Sequence, residues 1–172
     1  MLLSIVVPVY NEEENIANFY KAVTDVMSGL TYDYELIFVD DGSSDSSAMI
    51  LREIAFNDKH VKVLLLARNF GHQTALTCGL DYAHGDAVIT MDGDMQHPPA
   101  LIPELVRLWE SGYDVVRTIR DSTDDASWAK SFTSKYYYKL MNKMADVPIV
   151  EGGSDFRLMN SKASVSYTHL RA

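Results

Sequence analysis

The 172-residue chain holds a single cysteine, Cys78. One thiol excludes an intramolecular disulfide framework and a cysteine-built zinc site. No apolar run approaches the ~18 residues that a bilayer-spanning helix needs. The N-terminus Met1-Leu2-Leu3-Ser4 has no basic segment and turns polar by Asn11, so it does not read as a signal peptide. The expected compartment is the cytosol. Positive charge is also scarce, with 15 Lys and Arg against 24 Asp and Glu and a net charge of −9. Such a chain lacks the basic field that general nucleic-acid binding requires. There is no internal repeat and no low-complexity stretch. What remains is 47% hydrophobic and 23% charged, the make-up of one compact domain with a real core.

The charge is uneven. Residues 1–125 carry 21 acids and 8 bases, whereas residues 126–172 carry 3 acids and 7 bases. Short runs rich in Val, Ile and Leu alternate with segments of helical period. Strands are expected at Leu2–Val9, Tyr34–Val39, Val61–Leu66, Ala87–Met91 and around Val115-Val116. Helices are expected from a capping box at Asn11 and Glu14 through Leu30, over Asp45–Phe56, over Thr74–Ala83, and from Pro98-Pro99 to Trp109. This alternation predicts an α/β fold, a mostly parallel central sheet flanked by helices. In such sheets ligands bind beyond the carboxyl ends of the strands. The polar clusters follow Val9, Val39, Leu66 and Met91, all on that rim.

Each cluster has a chemical and a plain reading. Asp92-Gly93-Asp94 puts two carboxylates at the end of a buried strand, which is costly unless they are paired or hold a cation. Mg²⁺ or Mn²⁺ prefers such oxygen ligands and often bridges to a substrate's phosphates. Gln96 adds a neutral oxygen, His97 a nitrogen, and Gly93 lets a diphosphate come close to the backbone. The plain reading is a solvated turn. Asp40 and Asp41 close a strand where an acid can take a ribose or base, or simply belong to a strand–turn–helix with Ser43, Ser44 or Asp45 as cap. Tyr10 offers a ring for stacking and Glu12 an acceptor; alternatively the acids around it complement a helix N-terminus. Arg68 points at the same rim, or pairs with a surface acid. Cys78 reads as core, and His60 and His84 read as surface.

Two later segments add to this. Trp128, Phe132, Tyr136, Leu140 and Met144 repeat every four residues, as do Lys135, Lys139 and Lys143, and no acid occurs from Ala126 to Ala145. A basic, aromatic-rich amphipathic helix of this kind suits an anionic membrane surface or a lipid phosphate, or is a core-facing helix with a solvated lysine face. Arg117 and Arg120 lie just upstream. In Glu151-Gly152-Gly153-Ser154-Asp155-Phe156-Arg157, Asp155 can act as a base and Arg157 can hold a phosphate. Residues 165–172 break the apolar pattern and read as a non-native tail, leaving 1–164 as the domain.

Val7-Pro8-Val9-Tyr10-Asn11-Glu12, Val39-Asp40-Asp41-Gly42-Ser43-Ser44-Asp45, Arg68-Asn69-Phe70-Gly71-His72, Asp92-Gly93-Asp94-Met95-Gln96-His97-Pro98-Pro99 and Ser154-Asp155-Phe156-Arg157 occur in this order. Together they resemble family 2 glycosyltransferases of the A-type, Rossmann-like nucleotide-diphospho-sugar transferase fold. Within these the chain is similar to the polyprenyl-phosphate glycosyltransferases, the group of dolichyl-phosphate mannose synthase and the bactoprenol glucosyltransferases. The resemblance implies that Pro8, Tyr10, Glu12, Asp40 and Asp41 contact the nucleotide. It implies that Asp92, Asp94 and Gln96 form the Asp-x-Asp metal and diphosphate motif. Asp155 is implied as the group that deprotonates or orients the acceptor phosphate, Arg157 as a donor-phosphate contact, and Arg120, Lys130 and Ser134 as acceptor-phosphate contacts.

The activity so implied is an inverting, metal-dependent transfer from a nucleotide sugar, UDP-linked in preference to GDP-mannose, to a polyprenyl phosphate. The expected place is the cytoplasmic face of a membrane. Relatives of the bacterial type continue into transmembrane helices beyond the point where this chain stops, and the present stretch is expected to be soluble. Self-association into a homo-oligomer is left open. A saccharide acceptor in cell-envelope polysaccharide synthesis is the nearest alternative, although the Gln-x-x-Arg-Trp signature of processive synthases is absent. A non-catalytic nucleotide-sugar-binding module is another. A phosphoacceptor signalling domain needs a rim lysine, and none occurs between Val88 and Val116.

Overall fold

The computed structural model describes residues 1–119 and 153–164. The chain divides into two compact units, Met1–Arg117 with Asp155–Ala172, and Thr118–Ser154. Arg120, Lys130, Ser134, the basic segment 128–144 and the tail 165–172 lie outside the described residues.

The elements run β1 (Leu2–Val9), α1 (Ile16–Ser28), β2 (Asp33–Asp40), α2 (Ser47–Asn57), β3 (Val61–Leu65), α3 (His72–Asp81), β4 (Ala87–Thr90), a 3₁₀ turn (Pro99–Leu101), α4 (Ile102–Glu110), β5 (Val115–Ile119) and β6 (Gly153–Asn160). The sheet order is β3-β2-β1-β4-β6-β5. Strands β1 to β4 pair in parallel, and β6 runs antiparallel to β4 with Thr90 opposite Arg157. The mostly parallel sheet is as expected. β6 was not among the expected strands. Its period-two pattern buries Phe156 and Leu158 completely and leaves Asp155 and Arg157 half-buried, which is how one face of a strand behaves.

Two apolar layers hold the sheet. On one face Leu3, Ile5 and Val7 of β1 and Leu36 and Phe38 of β2 meet Phe19 and Val23 of α1, Leu51 of α2 and Ile102 and Leu105 of α4. On the other face Val6, Ile37, Val39 and Val88 meet Ala75, Leu76 and Leu80 of α3. Alternate residues of β1 and β2 therefore serve opposite layers, so both strands read as continuous apolar runs. Gly79 lets α3 approach, since a Cβ there would stand 2.3 Å from Val6 Cγ1.

Three helix starts differ from expectation, that of α2 by falling at Ser47, two residues after Asp45. Asn11 and Glu14 do not form a capping box. α1 begins at Ile16, and Asn11 adopts a left-handed backbone with φ 55°. Its side chain crosses to the next loop, where Oδ1 accepts from Ser44 N at 2.8 Å. α3 begins two residues earlier than its apolar period suggests, at His72 after Gly71.

A cleft at the strand switch point

Sequential strands leave β1 in opposite directions, to β2 on one side and β4 on the other. That reversal is where a doubly wound sheet opens a crevice. Pairing between β1 and β4 ends at Val6 and Thr90, with one further bond from Met91 N to Val6 O. Pro8 stands beyond it. Residues of β1 bond alternately to the two neighbours, and the position of Pro8 faces the side that β4 has left. Its missing N–H therefore costs no ladder bond. The cleft there has a volume of about 250 Å³ and is lined by Pro8, Tyr10, Glu12, Asp41, His72, Asp92 and Asp94 among others. Five of the implied nucleotide and metal residues are thus joined with Asp92 in one cavity, although they come from three different loops.

The loops are tied together by side chains. Asn11 N donates to Ser43 Oγ at 2.9 Å, Glu12 N to Ser47 Oγ at 2.9 Å, and Ser46 N to Glu13 Oε2 at 2.8 Å. Asp45 Oδ1 accepts from Ser47 N, the first residue of α2, but the N-cap position belongs to Ser46, which makes no side-chain cap bond, so none of the three expected caps Ser43, Ser44 and Asp45 occupies it. Asp41 is 2% exposed. Its two carboxylate oxygens accept from Phe70 N at 2.7 Å and Gly71 N at 2.9 Å. Asp41 thus fastens the β3–α3 loop while it lines the cleft. Asp40 is buried behind it, and its Oδ1 has no hydrogen-bond partner among the described residues. Among the described residues Arg68 forms no ion pair with an acid; its guanidinium lies 4.3 Å from the centre of the Phe70 ring.

The β4 end carries the acids. Asp94 Oδ1 accepts from Gln96 N at 3.0 Å, closing the turn around Met95, whose φ is 60°. Gln96 is exposed and stands outside the cleft lining. His72 Nε2 lies 3.6 Å from Asp92 Oδ1 and 3.4 Å from Asp155 Oδ2. Asp92 Oδ2 is 3.9 Å from His97 Nδ1, and Asp155 Oδ1 is 2.5 Å from Arg157 Nη2. Thr90 Oγ1 donates to the Asp155 carbonyl, pinning β6 to β4.

These contacts set the protonation of the acids. Burial pushes the Asp92 carboxyl above its ordinary value, and Asp155 and Asp94 push it the same way, against His72 and His97. The contact with His72 holds Asp155 below its ordinary value against burial, with Arg157 assisting. Asp155 in turn raises the His72 imidazole, opposed by burial and helped by Asp92 and Asp41. His72 sits in a quoted motif, but nothing in its local spacing distinguishes it; its partners come from β4 and β6.

No group of three or more His, Cys, Asp or Glu among the described residues forms a ready metal cage. The donors nevertheless fit a hard divalent cation. Two carboxylates of one turn line the cleft, and Asp92 is crowded by other acids in a way that a cation would relieve. Mg²⁺-type sites commonly use one or two carboxylates plus substrate phosphates.

The model of glycosyl transferase family 2 matches residues 4–167. An uncharacterized glycosyltransferase YkcC of Bacillus subtilis is 45% identical over 159 residues, which is 92% of this chain and 49% of that protein. A prophage bactoprenol glucosyl transferase homolog of Escherichia coli K12 is 42% identical over 160 residues, 93% of this chain and 52% of that protein. The chain spans about half the length of the curated relatives it matches. Among solved structures, the mannosyltransferase PcManGT of Pyrobaculum calidifontis, in complex with GDP-Man and Mn²⁺, superposes with a TM-score of 0.65 at 19% identity, covering 96% of this chain and 46% of that one. The fold is the A-type glycosyltransferase fold. The chain belongs to glycosyl transferase family 2.

Proposed function

From that membership we propose that the chain is the catalytic part of an inverting transferase that moves a sugar from a nucleotide sugar to a polyprenyl phosphate. The observation that carries the reading is the cleft at the β1–β4 switch point, where Tyr10, Glu12, Asp41, Asp92 and Asp94 share one cavity and Asp155 is joined to it through His72. The relative named as a bactoprenol glucosyl transferase homolog supports the lipid acceptor. A UDP-sugar is favoured over GDP-mannose.

In this reading the Tyr10 ring packs on the base, and Glu12 and Asp41 bound the base and ribose end, with Asp40 behind. Asp92 and Asp94, with Gln96 on the same loop, would hold Mg²⁺ or Mn²⁺. When bound, that cation would stabilise the negative charge of the departing nucleoside diphosphate. Asp155, kept ionised by His72 and Arg157, orients the acceptor. An acceptor phosphate is already an oxygen nucleophile, so orientation matters more than proton removal. The acceptor oxygen forms its bond to the anomeric carbon as the bond to the diphosphate oxygen breaks. Arg157 serves the donor phosphates through its place beside Asp155. Arg120, Lys130 and Ser134 are proposed for the acceptor phosphate, and the basic segment 128–144 for an anionic membrane surface.

The test is transfer of labelled sugar from UDP-glucose or GDP-mannose into the organic phase in the presence of undecaprenyl phosphate and Mn²⁺. Label in the lipid fraction that disappears in Asp155→Asn supports the reading. Transfer to a soluble saccharide and not to the lipid contradicts it.

A further inference from the structure

The contacts around Asp155 form a row of alternating basic and acidic side chains that runs from β6 into the cleft: Arg157, Asp155, His72, Asp92 and His97. Each of the two acids has a base near each of its oxygens. The members differ in what they can fix. The Asp155 backbone is held by the β4–β6 pairing and by Thr90 Oγ1. Arg157 lies on the same strand two residues away and steadies the carboxylate from β6 itself. His72 comes from a third element, the first turn of α3. It lines the cleft, whereas Asp155 does not, and the same nitrogen stands within ion-pair distance of both acids.

The loop that carries His72 is itself anchored, because Phe70 N and Gly71 N both donate to Asp41. A displacement at the nucleotide end would therefore pass through Asp41 and the β3–α3 loop to His72, and from His72 to Asp155. His72 Nε2 stands 3.6 Å from one carboxylate and 3.4 Å from the other, so its loss removes the link from α3 to both. His72 itself is 43% exposed at the side chain, so removing it opens no core cavity and should leave the fold intact.

We infer that His72 is a positioning residue for the transfer, setting Asp155 against Asp92 so that the acceptor end and the donor end of the cleft keep one geometry. The inference rests on the transferase reading above. It implies an effect on turnover that is larger than any effect on donor binding. Partners one step removed from the reacting groups typically cost about 10–100-fold when lost.

The experiment compares the unaltered chain, His72→Ala, His72→Gln and His72→Lys in the undecaprenyl phosphate assay, with UDP-glucose and GDP-mannose as donors and Mn²⁺ present. Thermal melting is followed in parallel. The expected result is a kcat about 10–100-fold lower in His72→Ala, a donor KM within about twofold, an unchanged Tm, and partial recovery in His72→Lys that exceeds His72→Gln. Unchanged kcat in His72→Ala overturns the inference. So does a loss that appears only in donor KM, a loss matched by a fall in Tm, or a lysine variant no better than alanine. An unaltered chain that transfers to the lipid while His72→Ala does so equally well removes the inference and leaves the transferase reading standing. No transfer by the unaltered chain removes the reading and the inference with it.

Discussion

Asp41 combines structure and site in one side chain, and that makes it informative to replace. Asn in its place keeps the size but has one acceptor oxygen for two backbone donors. Asp41→Asn should cost about 1–3 kcal/mol, the usual cost of a buried donor left unmet, measured by urea unfolding. Nucleotide binding should weaken with it. Glu35 is a contrasting residue, buried in β2 away from the cleft and accepting from Ser4 Oγ, Lys62 Nζ and His84 N. Burial works against its charge, but these bonds win and its carboxyl stays below the ordinary value. Its contribution is therefore present above its unfolded-state pKa and is lost as pH falls through the lower folded value. Unfolding free energies taken between neutral pH and pH 3 should fall more steeply for the unaltered chain than for Glu35→Gln. Equal slopes would contradict the assignment. Asp40, Asp41, Asp92 and Asp94 stood out because each lies at or just beyond the end of a recognisable strand, whereas Asp155 lies inside β6, which was not among the expected strands. His72 did not stand out, because its meaning lies in two partners that reach it only through the folded sheet.

Among elements, the loop after β2 and the loop after β3 act as one piece. Gly42 has φ +68°, and a Cβ on it would lie 2.4 Å from the Arg68 carbonyl carbon and 2.7 Å from Asn69 N. Both obstacles are backbone. Gly42→Ala should therefore destabilise by more than the roughly 1–2 kcal/mol that a left-handed backbone alone costs, and it should reduce nucleotide affinity at the same time. Equal stability by urea unfolding would show that the loops are less tightly joined. The strands β1 to β4 were readable from apolar runs, since a sheet buried on both faces leaves no alternation to confuse them. β6 was not among the expected strands, since Gly153, Ser154 and Asp155 open it with no apolar run; the burial of Phe156 and Leu158 and the pairing with β4 make it one. The start of α1 was misplaced because Asn11 fits a cap by spacing, yet its side chain is taken by Ser44.

At the scale of the molecule, the chain pairs an acidic sheet rim with a basic C-terminal stretch. The proposed membrane surface makes a direct prediction there. Changing Lys135, Lys139 and Lys143 to Glu should reduce co-sedimentation with vesicles containing anionic lipid, and high salt should do the same to the unaltered chain. Equal sedimentation of both would remove the membrane role from this segment. Among the described residues no helix is long and apolar enough to cross a membrane. The α/β class and the location of the cleft followed from the order of apolar runs and polar clusters. The roles of the individual acids needed the distances between loops. The most direct measurement is calorimetric titration of the chain with UDP and with GDP, each with and without Mn²⁺, repeated on Asp94→Ala. The expected result is binding of one nucleotide, preferably UDP, that depends on Mn²⁺ and vanishes in the variant. A folded chain that binds neither nucleotide, or binds one equally well without Mn²⁺ and without Asp94, would contradict it.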